Sequence, residues 1–98
     1  METRELIPIE ILCNQYNIPV AFFDNLQEFE LIQIVNKKSG YFIHISQIKQ
    51  VEKLIRLHFD LEINFEGLDA IYNLLNQVET LKEEVKLLQN KLRFYEDL

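Results

Sequence analysis

Residues 9–45, IEILCNQYNIPVAFFDNLQEFELIQIVNKKSGYFIHI, decide the fold of this chain. Ile9, Leu12, Cys13 and Tyr16 fall at i, i+3, i+4 and i+7, the spacing that gathers apolar side chains on one face of a short helix. Pro8 suits its first turn, where a missing N–H costs nothing. Asn17-Ile18-Pro19 breaks that helix, and Pro19 opens a second in which Phe22, Phe23, Leu26 and Phe29 recur at helical spacing as far as Glu30. Two short helices joined by a tight break make a helix-turn-helix. Leu31 to Val35 then reads as a strand. Asn36-Lys37-Lys38-Ser39-Gly40 reads as a turn, because Asn, Ser and Gly tolerate its backbone angles. Tyr41 to Ile45, aromatic and β-branched, reads as a second strand. The two strands form a hairpin, a wing beside the helices.

The pattern extends in both directions. Leu6 and Ile7 have room for one very short strand before the first helix. After the wing, Ser46 is a good N-cap for a third helix. Its apolar stripe is Ile48, Val51, Ile55 and Phe59 or His58, and it ends near Leu61-Glu62. Asn64 is placed to cap a fourth helix, with Glu66 in the first turn where the helix dipole favours an acid. From Phe65 onward there is no breaker. Ile71, Leu74, Val78, Leu81, Val85, Leu88, Leu92 and Tyr95 are spaced alternately by three and four, a heptad seam with Ile71, Val78, Val85 and Leu92 at a and the others at d. A helix from 65 to 95 is roughly 45 Å long. A domain of some sixty residues cannot cover such a seam, so part of it is expected to meet another chain. The fold class is therefore mainly α: a winged helix-turn-helix at 1–62 and a C-terminal coiled-coil dimerisation helix at 63–98.

Composition narrows the function. The chain has 98 residues, 48% apolar and 11% aromatic, with two Gly and two Pro, which is enough for a real core and leaves little for long loops. Net charge is -6. Nucleic-acid binders draw most of their affinity from phosphate neutralisation and usually carry a basic surplus. Here the sign alternates. Residues 1–36 hold Arg4 against six acids, residues 37–58 hold Lys37, Lys38, Lys49, Lys53 and Arg56 against Glu52, and residues 59–98 hold four bases against nine acids. One cysteine, Cys13, precludes an intrachain disulfide and a thiolate metal knuckle. No apolar run spans a bilayer. The N-terminus has no apolar signal core. A cytoplasmic location is the expectation.

Helix-turn-helix, wing, third helix and terminal coiled coil, in that order, resembles the layout of MerR-type regulators. The stretch Arg56-Leu57-His58-Phe59-Asp60-Leu61-Glu62-Ile63-Asn64-Phe65-Glu66-Gly67-Leu68 resembles a motif of the chaperone modulatory protein family, CbpM, of the form R-L-x-x-x-L-x-[IL]-[ND]-[WF]-x-G-[IL]. Leu81-Lys82, Leu87-Leu88 and Leu92-Arg93 are similar to that family's coiled-coil tail. The resemblance implies a protein that binds the J-domain of CbpA, a DnaJ-like co-chaperone, and blocks its stimulation of the chaperone DnaK. One departure stands out: both groups commonly have Gly-Leu after the second helix, where this chain has Glu30-Leu31. Gly there usually closes the helix in a left-handed conformation, so Glu30 is strained or the turn differs.

The second helix distinguishes the candidate partners. A helix that reads DNA needs Arg, Lys, Asn or Gln toward bases and phosphates. Residues 19–31 contain no base, but do contain Asp24, Glu28 and Glu30. Carboxylates held against phosphate repel, whereas they suit a cationic protein surface. J-domains carry a basic second helix, so the expected partner contact is Asp24, Glu28 and Glu30, with Asn25 and Gln27 as polar neighbours and Phe22 or Phe29 as apolar anchor. Lys49, Lys53 and Arg56 share one face of the third helix and, with Lys37-Lys38, are expected to form an ordinary solvated face. His44 and His58 have no second ligand at metal spacing, Cys13 lies on an apolar stripe, and no catalytic constellation or cofactor loop is legible. The chain is expected to be a non-enzymatic homodimer with a protein partner, without metal, cofactor or membrane; the alternative is a MerR-like DNA-binding transcriptional regulator that uses Lys37, Lys38 and the third helix against phosphate.

Overall fold

The computed structural model describes residues 5–97; residues 1–4 and 98, the outer ends of the two expected segments, lie outside it. Strand β1 (Leu6–Pro8) leads into α1 (Ile9–Tyr16) and α2 (Val20–Glu28). Strands β2 (Ile34–Lys37) and β3 (Gly40–His44) follow, then α3 (Ile48–Ile55) and the long α4 (Phe65–Glu96). The three strands form one antiparallel sheet in the order β1-β3-β2. Leu6 faces His44 across one ladder, and Ile34 faces Ile43 across the other. This is a winged helix-turn-helix with a long C-terminal helix.

Helical spacing places the core. Ile9 and Leu12 of α1, Phe22, Phe23 and Leu26 of α2, Ile43 of β3, Val51 and Leu54 of α3 and Leu68 of α4 are all buried. Cys13, Tyr16, Ile48 and Ile55 pack at its edge. Leu54, absent from the expected α3 stripe, is more buried than Ile48 or Ile55. The core also continues past residue 62: Ile63, Phe65, Leu68 and Tyr72 pack on it, so a division at 62 falls inside the packed unit. From Asn73 to Asp97 every described residue is exposed, so the seam from Leu74 to Tyr95 projects free of the domain, while Ile71 is half-buried. At 32 residues α4 is about 48 Å long.

Three boundaries differ from the sequence reading. Pro8 and Pro19 are N-caps in extended backbone, one residue before the helices they open. The first wing strand begins at Ile34, not Leu31: Leu31 and Ile32 are buried core residues in a bend. Side chains of α3 and its preceding turn satisfy that bend. Gln47 Oε1 accepts from Gln33 N–H at 2.9 Å, Gln47 Nε2 donates to Gln33 O at 3.1 Å, and Gln50 Nε2 donates to Leu31 O. Ser46 is not the cap of α3. A 3₁₀ turn, Ile45–Gln47, precedes that helix, and His44 Nδ1 accepts from Ser46 N–H.

Two helix ends explain local sequence choices. Glu30 stands at φ +59°, with Glu30 N–H donating to Gln27 O and Leu31 N–H to Leu26 O, both at 2.9 Å. That is a Schellman closure with a glutamate in the left-handed position, clasped by the buried pair Leu26 and Leu31. At the start of α4, Asn64 Oδ1 accepts from Gly67 N–H at 2.8 Å. A Cβ on Gly67 would meet Ile63 Cγ2 at 2.7 Å, so the folded-over cap leaves room only for glycine.

Candidate protein-docking face

The outward face of α2 follows from its 3.6-residue period. With Phe22, Phe23 and Leu26 committed to the core, Val20, Ala21, Asp24, Gln27 and Glu28 are left exposed. Asp24 and Glu28 are one turn apart on that face, and Glu30 follows, exposed, at the left-handed closure. Two carboxylates thus share the outward face of the second helix, and a third closes it. Acids at the C-terminal end of a helix also meet its negative dipole, so nothing in the helix itself favours Glu28 or Glu30 there.

The structure divides the expected contact residues. Asp24 and Glu28 are exposed one turn apart on α2, whereas Glu30 is exposed past the helix end, beside Leu31, Gln33 and Gln47. Gln27 is exposed, but its Oε1 accepts from Ile34 N–H at 2.9 Å, tying α2 to the wing. Asn25 is half-buried. The two apolar anchors are used internally. Phe22, 1% exposed, lies 5.1 Å from Phe59, 5.3 Å from His58 and 5.8 Å from Phe65, ring centre to ring centre. Phe29 stacks on Phe65 at 6.1 Å and 18°. Phe22 therefore cannot reach a partner. The large apolar side chains that are exposed beside this face are Val20 and Tyr41, which the sequence reading did not single out.

A π-helical turn at Arg56–Asp60 builds the aromatic cluster behind α2. Leu61 N–H reaches back five residues to Arg56 O at 3.2 Å, and Glu62 ends the turn at φ +56°. The extra residue per turn aims His58 and Phe59 toward Phe22. His58 stacks on Phe65 at 4.6 Å, and its Nδ1 lies 2.8 Å from Ile63 O, a contact in which the ring N–H donates. His58 is thus a packed, hydrogen-bonded residue. Among the described residues no group of three or more His, Cys, Asp or Glu side chains is placed to hold a metal ion. No helix among them is long and apolar enough to cross a membrane.

Two ionisable groups are perturbed. Burial pushes the Cys13 thiol up from its ordinary value, and the nearby negative charges of Glu10 and Asp24 add to the shift. The Tyr16 hydroxyl donates to Glu52 Oε2 at 2.6 Å. That bond raises the phenol pKa, with burial and the Glu52 charge contributing further. Lys49, Lys53 and Arg56 are exposed along α3; Lys37 and Lys38 sit at the wing tip, Lys37 half-buried and paired with Gly40.

The family model described as MerR HTH family regulatory protein matches residues 7–90, which takes in the helix-turn-helix, the wing and most of α4. The chain belongs to this family. No curated protein and no solved structure matches it. As a MerR-family chain it keeps the helix-turn-helix and wing, yet its second helix presents carboxylates where a DNA reader would present cations.

Proposed function

We propose that this MerR-family chain is a non-enzymatic, cytoplasmic chaperone modulator. It binds the J-domain of a DnaJ-like co-chaperone of the CbpA type and inhibits the stimulation of DnaK. The observation that carries the reading is the sign of α2 and its closure: Asp24 and Glu28 exposed on the helix, Glu30 exposed just after it, with no base between residues 19 and 31. A cationic helix of a J-domain suits that face, and covering it would keep the co-chaperone from its ATPase partner. The resemblance of residues 56–68 to the CbpM motif supports the same reading, and the folded-over Asn64 cap gives its Asn and Gly a physical reason. The chain acts as a homodimer through Ile71, Leu74, Val78, Leu81, Val85, Leu88, Leu92 and Tyr95. That much exposed apolar surface on one helix is costly in water, and β-branched a with Leu d suits a two-stranded coil.

The test is a pull-down of the co-chaperone by the intact chain, with Asp24, Glu28 and Glu30 replaced by lysine in a parallel sample. Retention by the native chain and loss in the variant support the reading. No retention, or equal retention by both, rejects it. One observation favours a second reading, a DNA-binding regulator: Lys37 and Lys38 stand at the wing tip in a MerR-family fold. Salt-dependent retention of a palindromic promoter fragment would support that reading instead.

A further inference from the structure

The sheet and the helices leave a groove that the acidic ridge of α2 does not by itself explain. Ile43 is buried on the inner face of β3, and its ladder partner Ile34 shares that face. By the two-residue period of a strand, Tyr41 lies on the same face, two residues nearer the wing tip. There the core has ended, and Tyr41 is 60% exposed. Opposite it, Gln27 ties α2 to Ile34, while Val20, 51% exposed, and Asp24 look into the space beyond. The result is an open groove of about 660 Å³ between the start of α1, α2 and the wing. Its apolar lining includes Val20, Ile34, Tyr41 and Phe42; its charged lining is Glu10 and Asp24. Among the described residues no lysine or arginine lines it.

We infer that this groove receives the apolar face of a cationic amphipathic helix from a partner protein, with Tyr41 and Val20 as its apolar contacts and Glu10 and Asp24 as its charge contacts. The inference rests on the proposed protein-binding reading and moves its centre. The docking site is not the ridge of α2 alone but the trough beside it, with one wall on the wing. Helix-in-groove recognition needs an apolar trough for side chains one turn apart and charges that fix the helix's polarity and register. The volume suits several such side chains. Nucleic acid does not fit, since the two carboxylates would face phosphate with no cation beside them.

Fluorescence anisotropy on the intact chain tests this. The probe is a labelled helical peptide with leucines along one face and lysines and arginines flanking it. The groove variants are Tyr41→Ala and Glu10→Lys, both at exposed positions off α2, and the ridge control is Glu28→Lys, which does not line the groove. Circular dichroism checks that each variant folds. Each groove variant is expected to weaken the peptide about tenfold, with Glu28→Lys costing less. A peptide with glutamates in place of the bases is expected not to bind. Equal binding of the acidic peptide, or groove variants that bind like the native chain, overturns the inference. The same variants tested against the J-domain separate the two claims. J-domain binding that Glu28→Lys abolishes and the groove variants spare sinks the groove and keeps the chaperone reading. Peptide binding in the groove without J-domain binding does the reverse.

Discussion

Replacing Glu30 with glycine is expected to stabilise the protein. Glu30 holds φ +59° at the closure of α2, with both Schellman hydrogen bonds made and Leu26 and Leu31 buried beneath it. A left-handed conformation costs a residue with a Cβ about 1–2 kcal/mol, which glycine does not incur. Removing a carboxylate from a helix C-terminus adds about 0.3–1 kcal/mol. Against these, glycine frees the unfolded chain by about 0.4–1 kcal/mol. The net is a gain of about 1 kcal/mol, or a rise in Tm of about 4–8 °C for a domain of this size. Thermal and urea denaturation at matched protein concentration measure it, since any self-association makes Tm concentration-dependent. Glu30→Ala is the control. It removes the charge and keeps the strain, so its gain is confined to the charge contribution of about 0.3–1 kcal/mol. A glycine variant no more stable than the alanine variant would refute the strain argument.

The remaining predictions are these. Gly67→Ala places a Cβ 2.7 Å from Ile63 Cγ2 and is expected to destabilise the chain by about 1 kcal/mol in urea denaturation, although alanine is the better helix former. The Tyr16 pKa is raised in the folded state, so the contribution of its bond to Glu52 is fully present below the unfolded value, roughly pH 10, and is lost as pH rises through the higher folded value. A Tyr16→Phe chain is expected to lose that part of the alkaline stability slope in pH-dependent denaturation. Val78→Lys with Val85→Lys puts two charges in the exposed seam of α4 and is expected to convert a dimer to a monomer in sedimentation equilibrium, leaving the helical content of the domain intact.

Much of the fold was legible in the periods of the sequence. Ile9, Leu12 and Phe22, Phe23, Leu26 mark the buried faces of α1 and α2 because a 3.6-residue repeat has one inward side. The break at Asn17-Ile18-Pro19 was legible too, and Asn17 takes the left-handed position that asparagine tolerates. The start of the wing was not. Leu31-Ile32 continue an apolar run that looks like a strand, but Leu31 O is bound by Gln50 and the backbone of Gln33 by Gln47, farther along the chain than any local pattern reaches. The helical period also does not say which of several neighbouring aromatics is surplus to the core. Phe22 is enclosed because the π-helical turn brings His58 and Phe59 toward α2, and Phe29 is half-covered by Phe65, an extra residue in the turn leaving no compositional trace. The acidic sign of residues 19–31 needed no structure, whereas the groove beside them depends on how far the wing overhangs and appears only in three dimensions.

The central claim is that the α2 face is built for a cationic polypeptide. A charge-swap calorimetry cycle with the J-domain measures this most directly. Asp24→Lys with Glu28→Lys is expected to weaken binding at least about tenfold, and reversing basic residues of the J-domain's second helix to glutamate is expected to restore most of that loss. Losses that simply add, with no restoration in the doubly reversed pair, would contradict it.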